Sequence, residues 1–247
     1  MSDLEDLKDS IIACNIRRCG PNPDKWNWIY ISNGMVLSEN FIREFKDKVH
    51  WCRISYKQKL SEDFIREFQD KVSWKNISAH QRLSEDFIRE FKSKVNWTFI
   101  SANQKLSEDF IREFKDKVDW PWISQKQTLS EDFIREFKDI VSWSDISLSQ
   151  KLSENFIREF KDKVNFLAIS KCQVLSEDFI KEFKDKIYWD ALCRYNLFCP
   201  PDVRIRWMKT LGIIKKQDPS THDFEYFETP IKPKDNSLQL LKELIEW

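Results

Sequence analysis

Glycine is nearly missing from this chain: Gly20, Gly34 and Gly212 are the only three in 247 residues. A phosphate-cradling loop, a dinucleotide-binding turn or a set of tight hairpins needs glycine at fixed offsets, and three residues this far apart supply none of them. Histidine is as scarce. His50, His80 and His222 stand in unrelated contexts, and neither HExxH nor GxSxG occurs. Six cysteines include no CxxC, so packed free thiols are expected rather than a metal site or a disulfide framework. No apolar run approaches the ~18 residues of a membrane span. The opening MSDLEDLKDSIIACNIRR is acidic before its short apolar run, the reverse of a secretory signal. The expectation is a non-enzymatic, intracellular protein with no metal, no cofactor, no small-molecule substrate and no membrane.

Excess charge of either sign is missing too. Forty-one basic and 41 acidic side chains cancel, so any case for a nucleic-acid partner must come from local patches. The carboxylates recur beside Lys and Arg at fixed positions, which predicts a solvated ion-pair face rather than paired acids for catalysis.

What the chain does have is a repeat. Leu-Ser-Glu begins at Leu37, Leu60, Leu83, Leu106, Leu129, Leu152 and Leu175, every interval being 23 residues. Trp28, Trp51, Trp74, Trp97, Trp120, Trp143, Phe166 and Trp189 keep the same spacing. Within SEDFIREFKDKV, residues such as Phe110, Ile111, Phe114 and Val118 form one helical stripe. Ser107 is placed as its N-cap, Glu108 and Asp109 suit the positive end of the helix dipole, and Leu106 can staple against Ile111. Glu108 with Arg112 and Glu113 with Lys117 are spaced as i,i+4 pairs.

The other half of the repeat follows the same grammar. N-cap types precede the repeat Trp at Asn27, Ser73, Asn96, Asp119, Ser142 and Asn165, with His50 as a substitute cap. Pro121 falls inside a first turn, where its missing N–H costs little. Two helices per repeat follow: helix A, for example Trp74 to Gln81, and helix B, for example Glu85 to Lys94. Helices this short are marginal alone in water, so neighbouring repeats must stack to bury Trp, Ile, Leu, Phe and Val. A leucine-rich-repeat horseshoe has a similar period but needs a strand and an asparagine ladder that this pattern lacks. The predicted fold is all-α: an α-solenoid of seven to eight 23-residue two-helix repeats over residues 25–196. An N-terminal capping helix is expected in 1–24. A C-terminal capping segment in 197–247 is expected to hold two helices, one from Pro200-Pro201-Asp202 and one from Ser237 to Trp247, around a Pro-containing loop from Lys215 to Asp235.

Comparing copies separates two kinds of position. Helix B hardly changes, whereas helix A keeps Trp, Ile, Ser and Gln and changes at four places that share one helix face. The candidate partner-binding residues on that face are Tyr30, Arg53, Tyr56, Lys57, Lys75, Asn76, His80, Phe99, Asn103, Trp122, Lys126 and Lys171. From the repeat Trp to the residue before Leu, six repeats carry nine basic residues against Asp145 alone, a net of +8. The leading reading is a scaffold that binds a protein partner through this face. Single-stranded nucleic-acid binding along the same basic and aromatic stripe and a structural virion role stay open beside it.

The recurring W..IS..Q.LSE.FIREF.DKV unit, over residues 26 to about 192, resembles the short tandem repeats of proteins encoded by giant DNA viruses of amoebae, of the mimivirus and marseillevirus type. The resemblance implies an intracellular viral repeat protein, a virion or host-interaction component. It carries over no active site.

Overall fold

The computed structural model describes residues 22–195 together with two short strands, β1 (Ile214–Gln217) and β2 (Phe224–Tyr226). The expected helices at residues 2–19, after Pro200 and after Ser237 lie outside the described residues. The strands pair antiparallel within the stretch expected to be a loop. The chain divides into two compact units, Met1–Gln127 and Thr128–Trp247, and the same α-solenoid repeat builds both.

After a short 3-10 turn at Pro23–Lys25, the first unit holds five A helices: Trp28–Gly34, Trp51–Lys57, Trp74–His80, Trp97–Asn103 and Trp120–Lys126. Four B helices alternate with them: Glu39–Glu44, Glu62–Glu67, Glu85–Glu90 and Glu108–Glu113. The second unit has A helices at Trp143–Ser149, Phe166–Cys172 and Trp189–Tyr195, with B helices at Glu131–Glu136, Glu154–Glu159 and Glu177–Glu182. Within each unit, successive A helices pack against each other.

Helix B is shorter than its apolar period implies. It stops at Glu90 in the third repeat because Phe91 turns out of helical geometry at ψ 28°. A separate turn follows, closed by Lys94 and Val95 N–H groups on the Phe91 carbonyl. Two contacts hold the break. Phe91 packs between Phe87 (ring centroids 4.7 Å) and Trp74 (4.9 Å), and the indole N–H of the following Trp97 donates to the Lys92 carbonyl at 3.1 Å. The same indole bond recurs at Trp51, Trp74, Trp120, Trp143 and Trp189. Because the helix ends early, Glu113 is not paired with Lys117 as its spacing suggested; it accepts from Arg89 Nε at 2.7 Å. Glu108 and Arg112 do face each other, at 3.6 Å.

Burial follows the repeat. Ile77, Phe87 and Ile88 have no exposed surface, and neither do most of their equivalents. Every B helix is capped by its serine, as Ser84 accepts from Phe87 N–H at 3.2 Å. The A-helix caps are less uniform. Asn27, Asn96, Asp119 and Asn165 cap with their side chains, while Ser73, Ser142 and His50 make no such bond. His50 is therefore not a substitute cap. Its backbone N–H is held instead by Ser32 Oγ of the preceding repeat, at 2.9 Å.

That serine begins a set of ladders one repeat long. Ser78 Oγ donates to the Trp74 carbonyl and accepts from Asn96 N–H, and Ser55, Ser101 and Ser147 act alike on their next repeats. Deeper in, Gln104 reaches back: Nε2 donates to the Ser78 and Gln81 carbonyls, and Oε1 accepts from Leu83 N–H. Gln58, Gln81, Gln127 and Gln173 repeat the triple contact, each buried to 7% exposure or less. On the surface, Arg66 Nε binds Glu90 at 2.8 Å and Glu62 Oε1 accepts from Ser84 N–H at 2.6 Å. Lys71 binds Asp47 at 2.7 Å. The hydrogen bond from Lys71, and then its charge, hold the Asp47 carboxyl below the usual range, and Glu90 likewise raises the Arg66 guanidinium.

Two predictions follow from the ladders. Gln104→Leu leaves two buried carbonyls and the half-buried Leu83 N–H without partners, at roughly 1–3 kcal/mol for each buried group. Chemical denaturation should show a loss of about 3 kcal/mol or more, and an unchanged midpoint would refute the role given to the amide. Ser93 interrupts the Lys–Asp ladder one step before Lys117, so Ser93→Asp should raise the melting temperature by about one or two degrees at low salt, with the gain fading in high salt.

Candidate functional site

Helix A presents its varied positions outward because the other positions are occupied. Ile and Ser point into the core, Gln reaches back, and Trp lies over the Phe pair of the following B helix. What remains is one face. In the first unit, Arg53, Lys57, Lys75, His80, Asn103 and Lys126 are exposed there. Tyr30, Tyr56 and Trp122 are exposed by 51%, 39% and 38%, which separates them from core aromatics. Asn76 and Phe99 are half-buried.

These side chains meet across repeats with a sequence separation of 24. Tyr56 and His80 make an edge contact with ring centroids 4.4 Å apart. Asn76 Nδ2 donates to the Cys52 carbonyl at 3.1 Å and lies 3.3 Å from its Sγ. Lys75 Nζ sits 5.9 Å above the Phe99 ring, Lys57 Nζ 4.8 Å from Tyr56 and Lys126 Nζ 5.8 Å from Trp122. The cross-repeat contacts join the A helices that begin at Trp51, Trp74 and Trp97 into one band, while the Lys57–Tyr56 and Lys126–Trp122 contacts lie within single helices and likewise lay a cation over an aromatic ring. Tyr30 stands on the first A helix, where its backbone N–H donates to the Asn27 side chain at 3.0 Å.

Lys171 belongs to the second unit, exposed at the helix A position that Tyr56 occupies in its own repeat. Its unit has a different face. Leu148 and Leu167 are each 47% exposed beside half-buried Asp145. Leu167 was missed as a candidate, as was Ile29 at 57% exposure in the first unit. Both sit at the first varied position after the repeat aromatic, and an apolar residue there was the available signal.

Among the described residues no group of three His, Cys, Asp or Glu side chains could hold a metal ion, and no helix is long and apolar enough to cross a membrane. No family model, no curated protein and no solved structure matches the chain.

Exposure predicts that these residues can be changed without harm to the fold. Trp122→Ala should lower stability by less than about 1 kcal/mol, whereas Phe87→Ala in the core should cost about 3–5 kcal/mol. Thermal melts of the two variants measure the contrast, and equal losses would place Trp122 in the core.

Proposed function

We propose that the chain is a non-enzymatic interaction scaffold that binds a protein partner through the varied face of its A helices. The observation that supports this is a division among repeat positions. Residues that recur are consumed within the fold: Ile and Phe in the core, Ser, Gln, Arg and Glu in bonds to the neighbouring repeat. Most residues that vary stand exposed or half-buried on one face, and repeat proteins place binding on such a face while the frame stays constant. The likeness of the repeat to those of giant viruses supports a setting inside an infected host cell.

A second reading, single-stranded nucleic acid, draws support from Arg53, Lys57, Lys75 and Lys126 lying exposed near Tyr56 and Trp122. A purely structural role in a particle has less support, because the uniform B face that a lattice would use is already engaged in its own ladders.

The test is a comparative capture. Tagged full-length chain and a Tyr56→Ala/Trp122→Ala variant, with matched melting temperatures, are used to recover proteins from infected amoebae. A partner recovered by the parent and lost with the variant is expected. Recovery of the same proteins in the same amounts by both would overturn the assignment of this face.

A further inference from the structure

Unpaired positive charge is concentrated on the A face of the first unit. Arg53, Lys57, Lys75 and Lys126 lie on its helices, all exposed. The A-to-B connections add Lys59, Arg82 and Lys105, each in the position just before the repeat Leu and each exposed. From each repeat Trp to the residue before Leu, or to the unit's end at Gln127, this stretch contains no acidic side chain. The nearest, Asp119, is turned back to its own helix, where it accepts from Trp122 N–H at 3.4 Å. None of the seven cations makes an ion pair with a described residue. The B-helix arginines of the same unit contrast with them: Arg43, Arg66 and Arg89 are each closed by glutamates from two repeats.

The aromatic rings on this face discriminate among anions. Tyr56, Phe99 and Trp122 each carry a lysine ammonium 4.8–5.9 Å from the ring centroid. A nucleobase stacking on these rings would have to displace the lysines, whereas a carboxylate meets an ammonium already backed by the ring. Spacing points the same way. Packed helices stand about 8–10 Å apart, so the equivalent cations Lys59, Arg82 and Lys105, one in each of three successive repeats, recur about once per 10 Å. That is sparse for a phosphate backbone, which in duplex DNA carries a charge about every 3.4 Å of each strand. Three residues of extended peptide span about 10 Å.

We propose that the A face of the first unit docks an extended acidic protein segment, whose carboxylates, about three residues apart, pair with successive repeats. Asn103, exposed on the same face and with no side-chain hydrogen bond to a described residue, is placed to bind the peptide backbone. This inference rests on the A face being the interaction surface and names the chemistry of its partner.

Fluorescence anisotropy with the full chain tests it. The probe is a labelled Gly/Ser peptide of about twelve residues with Glu at every third position. Its comparators are the same composition with the glutamates clustered at one end, and an oligothymidine of equal charge. The spaced peptide should bind most tightly at about 50 mM salt and weaken toward about 200 mM. Charge reversal by Lys57→Glu/Lys75→Glu/Lys126→Glu should reduce its affinity by about tenfold or more, while Lys92→Ser on a B-helix turn should leave it unchanged. Tighter binding of the oligothymidine, equal binding of the clustered peptide, or no binding of the spaced peptide overturns the proposal with the parent chain alone, whatever the fold of the variant. The cellular capture then separates the two levels. A partner lost with Tyr56→Ala/Trp122→Ala but kept by the charge-reversed chain would overturn the acidic segment and leave the scaffold reading standing.

Discussion

One buried amide organises each repeat. Gln104 closes the end of the preceding A helix by donating to the Ser78 carbonyl, fixes the following turn through the Gln81 carbonyl, and holds the entry to helix B through Leu83 N–H. Those three backbone groups lie where a seven-residue helix must stop and a six-residue helix must start. Without a side chain from the next repeat they would be buried and unsatisfied. The amide has two donors and one acceptor oxygen in a rigid plane, which matches two carbonyls and one N–H. Glutamate lacks the donors, and leucine lacks everything but volume. A repeat built this way completes its backbone hydrogen bonding only when the next repeat is in place, so local folding and stacking are one event.

The same chain ranks its ladders by what it tolerates in them. Gln is retained at residues 58, 81, 104, 127, 150 and 173, and Ser at 32, 55, 78, 101, 124, 147 and 170. The repeat that opens the series has Met35 at the Gln position, and no Leu-Ser-Glu copy precedes it for a glutamine to close. The exposed Lys–Asp ladder is looser: Ser93 replaces an Asp and Ile140 replaces a Lys. The indole bond is intermediate. Where Phe166 stands for Trp the indole bond is lost, and the Lys161 carbonyl keeps only Lys186 Nζ at 3.3 Å, the contact that Lys163 Nζ makes on the Lys138 carbonyl beside the indole of Trp143. This order follows from desolvation. A buried polar group left unpaired costs far more than an exposed ion pair returns, because water replaces the lost partner at the surface and cannot do so inside.

The period, the two-helix repeat and the B-helix serine caps were legible because each depends on residues close in sequence: Ser84 caps Phe87 N–H three residues on. The break after Glu90 was not. Phe87 and Phe91 are spaced as in a continuing helix, and Phe91 turns out of it while packed on Trp74 of the A helix before it; the indole of Trp97 only adds to the break, which also follows Glu159, where Phe166 supplies no indole. The pairing of Glu113 was misread for the same reason: its partner Arg89 lies 24 residues away, one repeat and one residue, rather than four. His50 was misread because its role is carried by its backbone N–H, to which side-chain identity is irrelevant. The varied face was legible as a face, since helical offsets alone define it. Its internal contacts, Tyr56 with His80 and Lys75 with Phe99, needed the stacking register.

Consumption of the conserved groups has a consequence for how such a protein can change. A substitution on helix B must preserve a bond to another repeat, so the copies there are bound to one another, and most drift is expelled to helix A. Neutral drift alone would scatter charge on that face. In the first unit it has instead accumulated seven cations and no acid across adjacent repeats, each repulsive to its neighbours and none offset by an ion pair. Like charges gathered on one face weaken the fold slightly. Under the proposal of an acidic segment, pairing with these cations would return on binding what the isolated chain loses.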